Sequence, residues 1–251
     1  DVYKRQPWWW HALIGLAVAA VGLSLAAALT VGLALVFSWP RLPDISELQD
    51  YQPQIPLRVY SADGLLLGEF GEERRIFVPI DQIPDLMKKA VLATEDDRFY
   101  QHGGIDWPGV ARALLANLER SRSQGASTIT MQVARNFYLS REKTFTRKLF
   151  EVLLALKIEQ QMSKDQILEL YMNQIYLGRK AYGFGAAAQA YFAKPLDQLS
   201  LAQMAMLAGL PKAPSAYNPI SNPQRARQRQ LHVLARLQQL GWISPTQAQQ
   251  A

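Results

Sequence analysis

The 251-residue sequence contains no cysteine, which excludes disulfide bonds and metal sites built on thiolates. It has no internal repeat, no low-complexity tract and no set of side chains with the spacing of a dedicated metal cage. A basic stripe with interleaved aromatic residues is also missing, which argues against a nucleic-acid-binding protein. The chain does not begin with methionine and has no obvious ending, and we therefore expect a fragment that is cut at both ends.

Positive charge and apolar residues are what the sequence does have. The net charge is +6 and the pI is about 9.5, which suits an anionic partner such as a membrane surface or a phosphorylated substrate. Apolar residues make up 49% of the chain, enough for a sizeable core. The length allows one membrane segment and one domain of ordinary size.

An apolar run over residues 12–37 predicts a transmembrane helix, because a helix needs about 20 apolar residues to cross a bilayer. Tryptophans flank the run at both ends, as in interfacial belts: Trp8, Trp9, Trp10 and Trp39. Lys4 and Arg5 precede it, so the positive-inside rule predicts a cytoplasmic tail at 1–11, a membrane helix at 12–39 and an extracytoplasmic remainder. A cleaved signal peptide is the alternative.

The remainder divides into a β-containing region and a helical domain. Residues 40–80 predict a proline-rich linker and a β-hairpin, with strands at 57–60 and 65–70 around a turn at 61–64, and a third short strand at 75–80. Apolar spacing over residues 81–245 predicts a helical domain. The predicted helices span residues 85–95, 108–120, 128–139, 146–161, 163–175 and 199–210, with a last one from 222 to about 241.

The first cluster that could carry chemistry occupies residues 95–104. If the helix continues past residue 95, Glu95, Phe99 and His102 lie on one face. A carboxylate beside an aromatic ring at the edge of a core has a raised pKa, which a general base working near neutral pH requires. The alternative is a helix end that carries solvated charges.

Three further clusters follow in the predicted helices. Ser127 and Thr128 open a helix whose free N–H groups suit phosphate or sugar oxygens. Gln132 and Arg135 lie on the same face of this helix as Thr128. The alternative is an ordinary N-cap. Glu151 lies in an apolar stretch within reach of two cations, Arg147 and Lys148. This pattern predicts either a structural ion pair or a catalytic carboxylate that the cations hold. Asn173 is a C-cap or supports a site.

Together these clusters resemble the four motifs of glycosyltransferase family 51, the peptidoglycan polymerases. Residues 95–104, 125–132, 147–151 and 164–173 match its E-D-x-x-F-x-x-H-x-G, G-x-S-T-x-T-Q-Q, R-K-x-x-E and K-x-x-I-L-x-x-Y-x-N patterns in order. Met131 departs from the pattern, where the family has a glutamine. Residues 207–214 and the hairpin resemble class A penicillin-binding proteins in particular.

The resemblance implies a mainly α, lysozyme-like glycosyltransferase domain with a short N-terminal β-hairpin and one transmembrane helix. It implies polymerisation of lipid II by an inverting displacement of polyprenyl pyrophosphate, with Glu95 as general base and Glu151 as second catalytic carboxylate. The implied substrate-binding residues are Asp96, Phe99, His102, Ser127, Thr128, Gln132, Arg135, Lys143, Arg147, Lys148 and Asn173.

The resemblance also implies partners and a location. The partners are lipid II, the growing lipid-linked glycan, membrane lipids and other cell-wall synthesis proteins, and the location is the inner membrane with the catalytic domain outside. No organic cofactor is implied, and Mg²⁺ or Mn²⁺ would arrive with the pyrophosphate. We expect a D,D-transpeptidase domain in the full-length protein but not here, because the S-x-N and K-T-G motifs are missing from the sequence.

Two alternative functions remain. A lysozyme-like lytic enzyme also uses a glutamate in an α domain, but it needs neither a membrane anchor nor the basic cluster. A non-catalytic membrane scaffold would be expected if Glu95 or Glu151 were replaced, and neither is.

Overall fold

A computed structural model describes residues 8–49, 57–64, 66–71, 73–118, 127–139 and 145–251. The chain is 65% helix, which confirms the prediction of a mainly α protein. It separates into two compact units, Asp1–Pro43 and Asp44–Ala251, which are described in turn.

The first unit contains one long helix, α1 (Trp8–Ser38), followed by a 3₁₀ turn at Trp39–Arg41. The hydroxyl groups of Ser24 and Thr30, in the middle of the helix, donate to the carbonyl oxygens four residues earlier at 2.8 Å, so both are satisfied within the helix. In the described residues, no helix combines the length and the apolar character that crossing a membrane requires.

The second unit opens with the hairpin that the sequence predicts. Strands β1 (Leu57–Tyr60) and β2 (Leu66–Phe70) pair antiparallel, and Gly64 in the turn has φ +85°, a conformation that glycine adopts without strain. The predicted third strand shrinks to β3 (Arg74–Arg75), which pairs in parallel with β4 (Ala181–Tyr182). A short helix, α2 (Ser46–Gln49), lies inside the predicted linker.

The predicted helices are confirmed to within about two residues at their described ends. They are α3 (Asp85–Glu95), α4 (Trp107–Leu118), α5 (Ile129–Tyr138), α6 (Phe145–Gln161), α7 (Lys164–Gln174), α9 (Leu201–Ala208) and α10 (Pro223–Gln239). Two were missed, α8 (Phe184–Phe192) and α11 (Pro245–Gln250). The second had a signal, because Ser244 and Gln247 form the same capping box that Ser163 and Gln166 form before α7.

Helix α5 is central to the packing that positions the polar clusters. It packs against α6 and α7, while α3 packs against α9 and α10. Its apolar face, including Ile129 and Val133, is fully buried. The helix starts at Thr128, whose hydroxyl accepts from the backbone N–H of Met131 at 3.2 Å. The start of α5 is therefore fixed between α3 on one side and α6 on the other.

Asn173, near the end of α7, joins this helix to the segment that follows β3. Its amide nitrogen donates to the carbonyl oxygens of Val78 and Glu169, and its amide oxygen accepts from the Val78 N–H, at 2.9–3.0 Å. All polar atoms of this buried side chain are therefore committed to backbone contacts.

Candidate active site

Glu95 is the last residue of α3, and only 12% of its side chain is exposed. Its Oε2 accepts a hydrogen bond from Nε2 of Gln132 on α5 at 3.0 Å, and its Oε1 lies 4.0 Å from a guanidinium nitrogen of Arg229 on α10. Burial raises the pKa of Glu95, against the opposing effects of the Gln132 bond and the nearby cations, Arg229 first. The expectation of a raised pKa is confirmed, and the carboxyl has the property that a general base near neutral pH needs.

Helix α3 ends at Glu95, as the sequence predicts, so the shared face that a longer helix would have given Glu95, Phe99 and His102 does not form. Asp96 ends α3 with φ −164° and ψ 79°. Its carboxylate accepts from the backbone N–H of Ile129 at 3.0 Å and lies 3.0 and 3.1 Å from Nε2 of His102. These contacts to a distant part of the chain outweigh the local tendency to extend the helix.

Several of the predicted substrate-binding residues thus form a buried framework around the start of α5. Asp96 and His102 bond to one another, and the Thr128 hydroxyl donates to the carbonyl oxygen of Gly104 at 2.7 Å. Phe99 is buried, with the ammonium of Lys164 4.3 Å from the centre of its ring. These contacts fix the position of the α5 N-terminus relative to Glu95.

A second carboxylate, Glu151 on α6, is 1% exposed and is held by two cations. Arg147 and Lys148 both pair with it, the latter at 2.9 Å, so the ion pair that the sequence allowed is present. Lys148 also donates to Oγ of Ser127 at 2.9 Å, and its side chain is 46% exposed. A buried anion therefore orients two cationic groups beside the residue that precedes the α5 N-cap.

Met131, the departure from the family pattern, faces the interior. It is buried with Ile105 and Ala155, and its sulfur lies 4.0 Å from Nζ of Lys148. The thioether packs in the core below the Lys148–Glu151 pair. The departure therefore leaves the polar contacts of that pair in place.

A cavity of about 290 Å³ opens at Glu95. Its lining includes Glu95, Asp97, Ser127, Thr128, His232 and Arg236. Ser127 lines the cavity and also accepts the hydrogen bond from Lys148. The basic groups held by Glu151 therefore lie next to the cavity, at the start of α5. The structure thereby brings Glu95 and the Arg147–Lys148–Glu151 cluster to the same helix terminus.

The remaining predicted site residues have different placements. Arg135, half-buried on α5, contributes to the electrostatic environment of Glu95. Asn173 is taken up by the backbone contacts to Val78 and Glu169. Lys143 lies outside the described residues.

Sequence analysis missed the groups that α10 and its preceding loop bring to Glu95. Arg229 and Lys212 act on its carboxylate, and His232 and Arg236 line the cavity. No local spacing relates these residues to the 95–104 cluster, since tertiary packing of α10 against α3 places them there. The sequence of α10 is rich in arginine, which suggests a basic surface, but it does not indicate which arginine faces the interior.

Comparison with known proteins gives one family and one set of relatives. A family model described as Transglycosylase matches residues 63–238. Penicillin-binding protein 1A of Neisseria cinerea is 55% identical over 95% of this chain and 29% of the relative, and that of Escherichia coli K12 is 55% identical over 84% and 25%. The chain thus spans less than a third of the length of these relatives.

A solved structure is also similar. The 2.6 Å crystal structure of penicillin-binding protein 1A from Haemophilus influenzae matches with 30% identity and a TM-score of 0.46, over 80% of this chain and 20% of that one.

Proposed function

Because the chain belongs to the transglycosylase family, we propose that it is a peptidoglycan glycosyltransferase that polymerises lipid II into β-1,4-linked glycan strands. One observation carries the proposal: a buried carboxylate with a raised pKa, Glu95, lies on a cavity wall next to a helix start that carries oriented basic groups.

In the proposed reaction Glu95 acts as the general base. It takes the proton of the 4-hydroxyl of the N-acetylglucosamine in the acceptor, and the oxygen forms a bond to the anomeric carbon of the donor glycan. The bond from that carbon to the diphosphate breaks, which inverts the α linkage to β. The raised pKa of Glu95 supports this role, since a stronger base accepts an alcohol proton more readily.

The leaving diphosphate gathers negative charge, and the α5 side of the site is suited to stabilise it. Lys148 and Arg147 are held in place by Glu151, and Ser127 offers a hydroxyl at the start of the ten-residue α5, whose N–H groups favour anions. We assign Lys143 and Arg135 to the same task because they are cations in the stretch between the matched motifs 125–132 and 147–151.

The other predicted contact residues receive supporting roles in this proposal. The buried bonds of Asp96, His102 and Thr128 favour holding the α5 terminus in place over touching a sugar. Phe99 and Asn173 are likewise committed to internal packing and backbone contacts. Gln132, bonded to the base, orients its carboxylate.

We propose that any Mg²⁺ or Mn²⁺ enters with the pyrophosphate. In the described part of the chain no group of three or more His, Asp or Glu side chains has the arrangement of a metal site. Both oxygens of Glu151 already pair with cations, Arg147 and Lys148, so its carboxylate does not fit the role of a metal ligand. The proposal includes no organic cofactor.

We propose further that residues 12–39 anchor the protein in the inner membrane with the lysozyme-like domain, residues 81–245, outside. The support is the apolar sequence between two groups of tryptophans. Helix α4 supports contact with membrane lipids, since Ala113 is buried while Trp107 and Leu114 are 68% and 62% exposed. If the anchor is correct, an alkaline carbonate wash leaves the protein in the membrane fraction; release by the wash alone contradicts it.

The relatives are named for penicillin binding, and they extend well beyond the stretch that this chain matches. The S-x-N and K-T-G motifs of a transpeptidase are missing from residues 1–251. We propose that penicillin binding and any D,D-transpeptidase activity belong to a part of the full-length protein outside this stretch, as do contacts with other cell-wall synthesis proteins.

Product analysis tests the proposal against the lytic alternative. The protein is incubated with purified lipid-linked disaccharide-pentapeptide in one reaction and with finished cell wall in another. We expect a ladder of glycan strands on a gel from the first and no soluble fragments from the second. Fragments from finished cell wall, without polymer from the lipid precursor, would establish the lytic enzyme instead.

A further inference from the structure

Arg229 on α10 carries a charge that the fold has buried beside Glu95. Its side chain is 8% exposed, and Glu95, at 4.0 Å, is the one carboxylate that pairs with it in the described part of the chain. Its Nε is buried without a hydrogen-bond partner among the described residues. Because an arginine stays protonated in a protein, this is a permanent positive charge with one counter-charge at 4.0 Å, and burying it costs stability.

Two features of the loop after α9 fix the path of the Arg229 side chain. A Cβ at Gly209 would lie 2.7 Å from Cγ of Arg229, so this position has room for hydrogen only. The ring of Tyr217 lies 5.9 Å from the guanidinium carbon, within the range of a cation–π contact. The guanidinium is therefore directed at Glu95 by its surroundings as well as by attraction.

The two oxygens of Glu95 face different partners. Gln132 donates to Oε2 at 3.0 Å, whereas Arg229 lies 4.0 Å from Oε1, which is a charge contact without a hydrogen bond. Among the described residues, Oε1 therefore has a cation nearby but accepts no hydrogen bond from Arg229, so its lone pairs stay available for a proton.

We propose that Arg229 is a positioning residue for the base: held by Gly209 and Tyr217, it fixes a positive charge beside Oε1 of Glu95 and so keeps the carboxylate ionised and oriented without occupying that oxygen. The proposal rests on the proposed function of Glu95 and identifies a group on α10 that acts through it.

Other charged and titratable groups also face Glu95. Lys212 in the loop after α9 and Arg135 on α5 are cations that lower its pKa less than Arg229 does. On the other side lie Asp96 and the buried Tyr171 of α7, whose own pKa is raised by burial and by Glu95. Helix α9 has no charged residue. Burial raises the pKa of Glu95, and among the cations Arg229 lowers it most. Loss of Arg229 would therefore leave Glu95 protonated up to a higher pH.

The test is the pH dependence of kcat/KM for polymerisation by the full chain in detergent or vesicles. In Arg229→Gln we expect the acid limb to move to higher pH, with activity on that limb about tenfold lower for each pH unit of displacement and partial recovery at alkaline pH. Arg229→Lys keeps the charge and should restore most of the wild-type profile. Gly209→Ala, which leaves Arg229 in the chain but displaces its stem, should move the limb in the same direction. Arg225→Gln removes an exposed arginine from the same helix and should leave the limb in place.

A thermal-unfolding cycle gives a readout that is independent of activity. Because the two side chains interact, introducing Arg229→Gln into the wild type should lower the melting temperature more than introducing it into the Glu95→Gln variant. Additive effects, or an acid limb that coincides in Arg229→Gln and the wild type, overturn the positioning role. An active Glu95→Gln variant would instead overturn the proposed function of Glu95, so the two failures are distinguishable.

Discussion

Glu95→Gln is expected to lower the rate of glycan polymerisation by about 10²–10⁴-fold, the usual contribution of a general base. The substitution keeps the size of the side chain and allows a hydrogen bond to Gln132, but an amide cannot take the proton of the acceptor hydroxyl. The loss should appear in kcat, with the KM for the lipid-linked donor little changed, because the basic groups around Lys148 remain.

Single-turnover kinetics with labelled lipid precursor measures this loss, and circular dichroism establishes that the variant is folded. Asp197→Asn, at an exposed carboxylate far along the chain, is the matched control and should retain full activity. Turnover by Glu95→Gln within a factor of about three of the wild type would remove Glu95 as the base, since a base contributes about 10²-fold or more.

Glu151→Gln should reduce kcat by about 10²–10³-fold through a different cause, the loss of oriented charge at the leaving group. The buried carboxylate is what holds Arg147 and Lys148 together at the start of α5. Without it the two cations repel one another, and the half-exposed Lys148 turns to solvent. The affinity for inorganic pyrophosphate should fall in parallel, measured by calorimetry on the same variant.

A double-mutant cycle separates this positioning of Lys148 from a direct chemical role of Glu151. If Glu151 acts through Lys148, then Lys148→Met costs much less activity in the Glu151→Gln background than in the wild type. Thr146→Ala, exposed on the same helix, serves as control for disturbance of α6. Equal and independent losses from the two substitutions would argue that Glu151 takes part in the chemistry itself.

The parts of the fold that the sequence predicted well are those that short-range interactions decide. Helix α7 begins where Ser163 and Gln166 form a capping box, and the Glu151 ion pairs follow from spacings of three and four residues on one helix. The hairpin β1–β2 has its turn at an Asp-Gly pair. In each case a few neighbouring residues contain the necessary information.

The parts that were wrong or missed depend on residues far apart in the chain. Asp96 bonds to the backbone of Ile129 and to His102, and nothing within residues 85–100 predicts the contact with Ile129. Helix α8 is rich in alanine, which favours a helix, but it lacks a clear apolar period, so a reading based on periodicity missed it. Arg229 reaches Glu95 only once α10 packs against α3.

The carboxylate of Asp96 links the proposed general base, Glu95, to the start of α5, which we propose binds the diphosphate. Asp96 follows Glu95 directly and accepts a hydrogen bond from the first residue of α5, so the positions of Glu95 and of the α5 N-terminus depend on one another. A compound that binds between residues 96 and 129 and breaks this hydrogen bond would therefore disturb both the proposed base and the proposed diphosphate site, without occupying the place of the sugar or of the diphosphate.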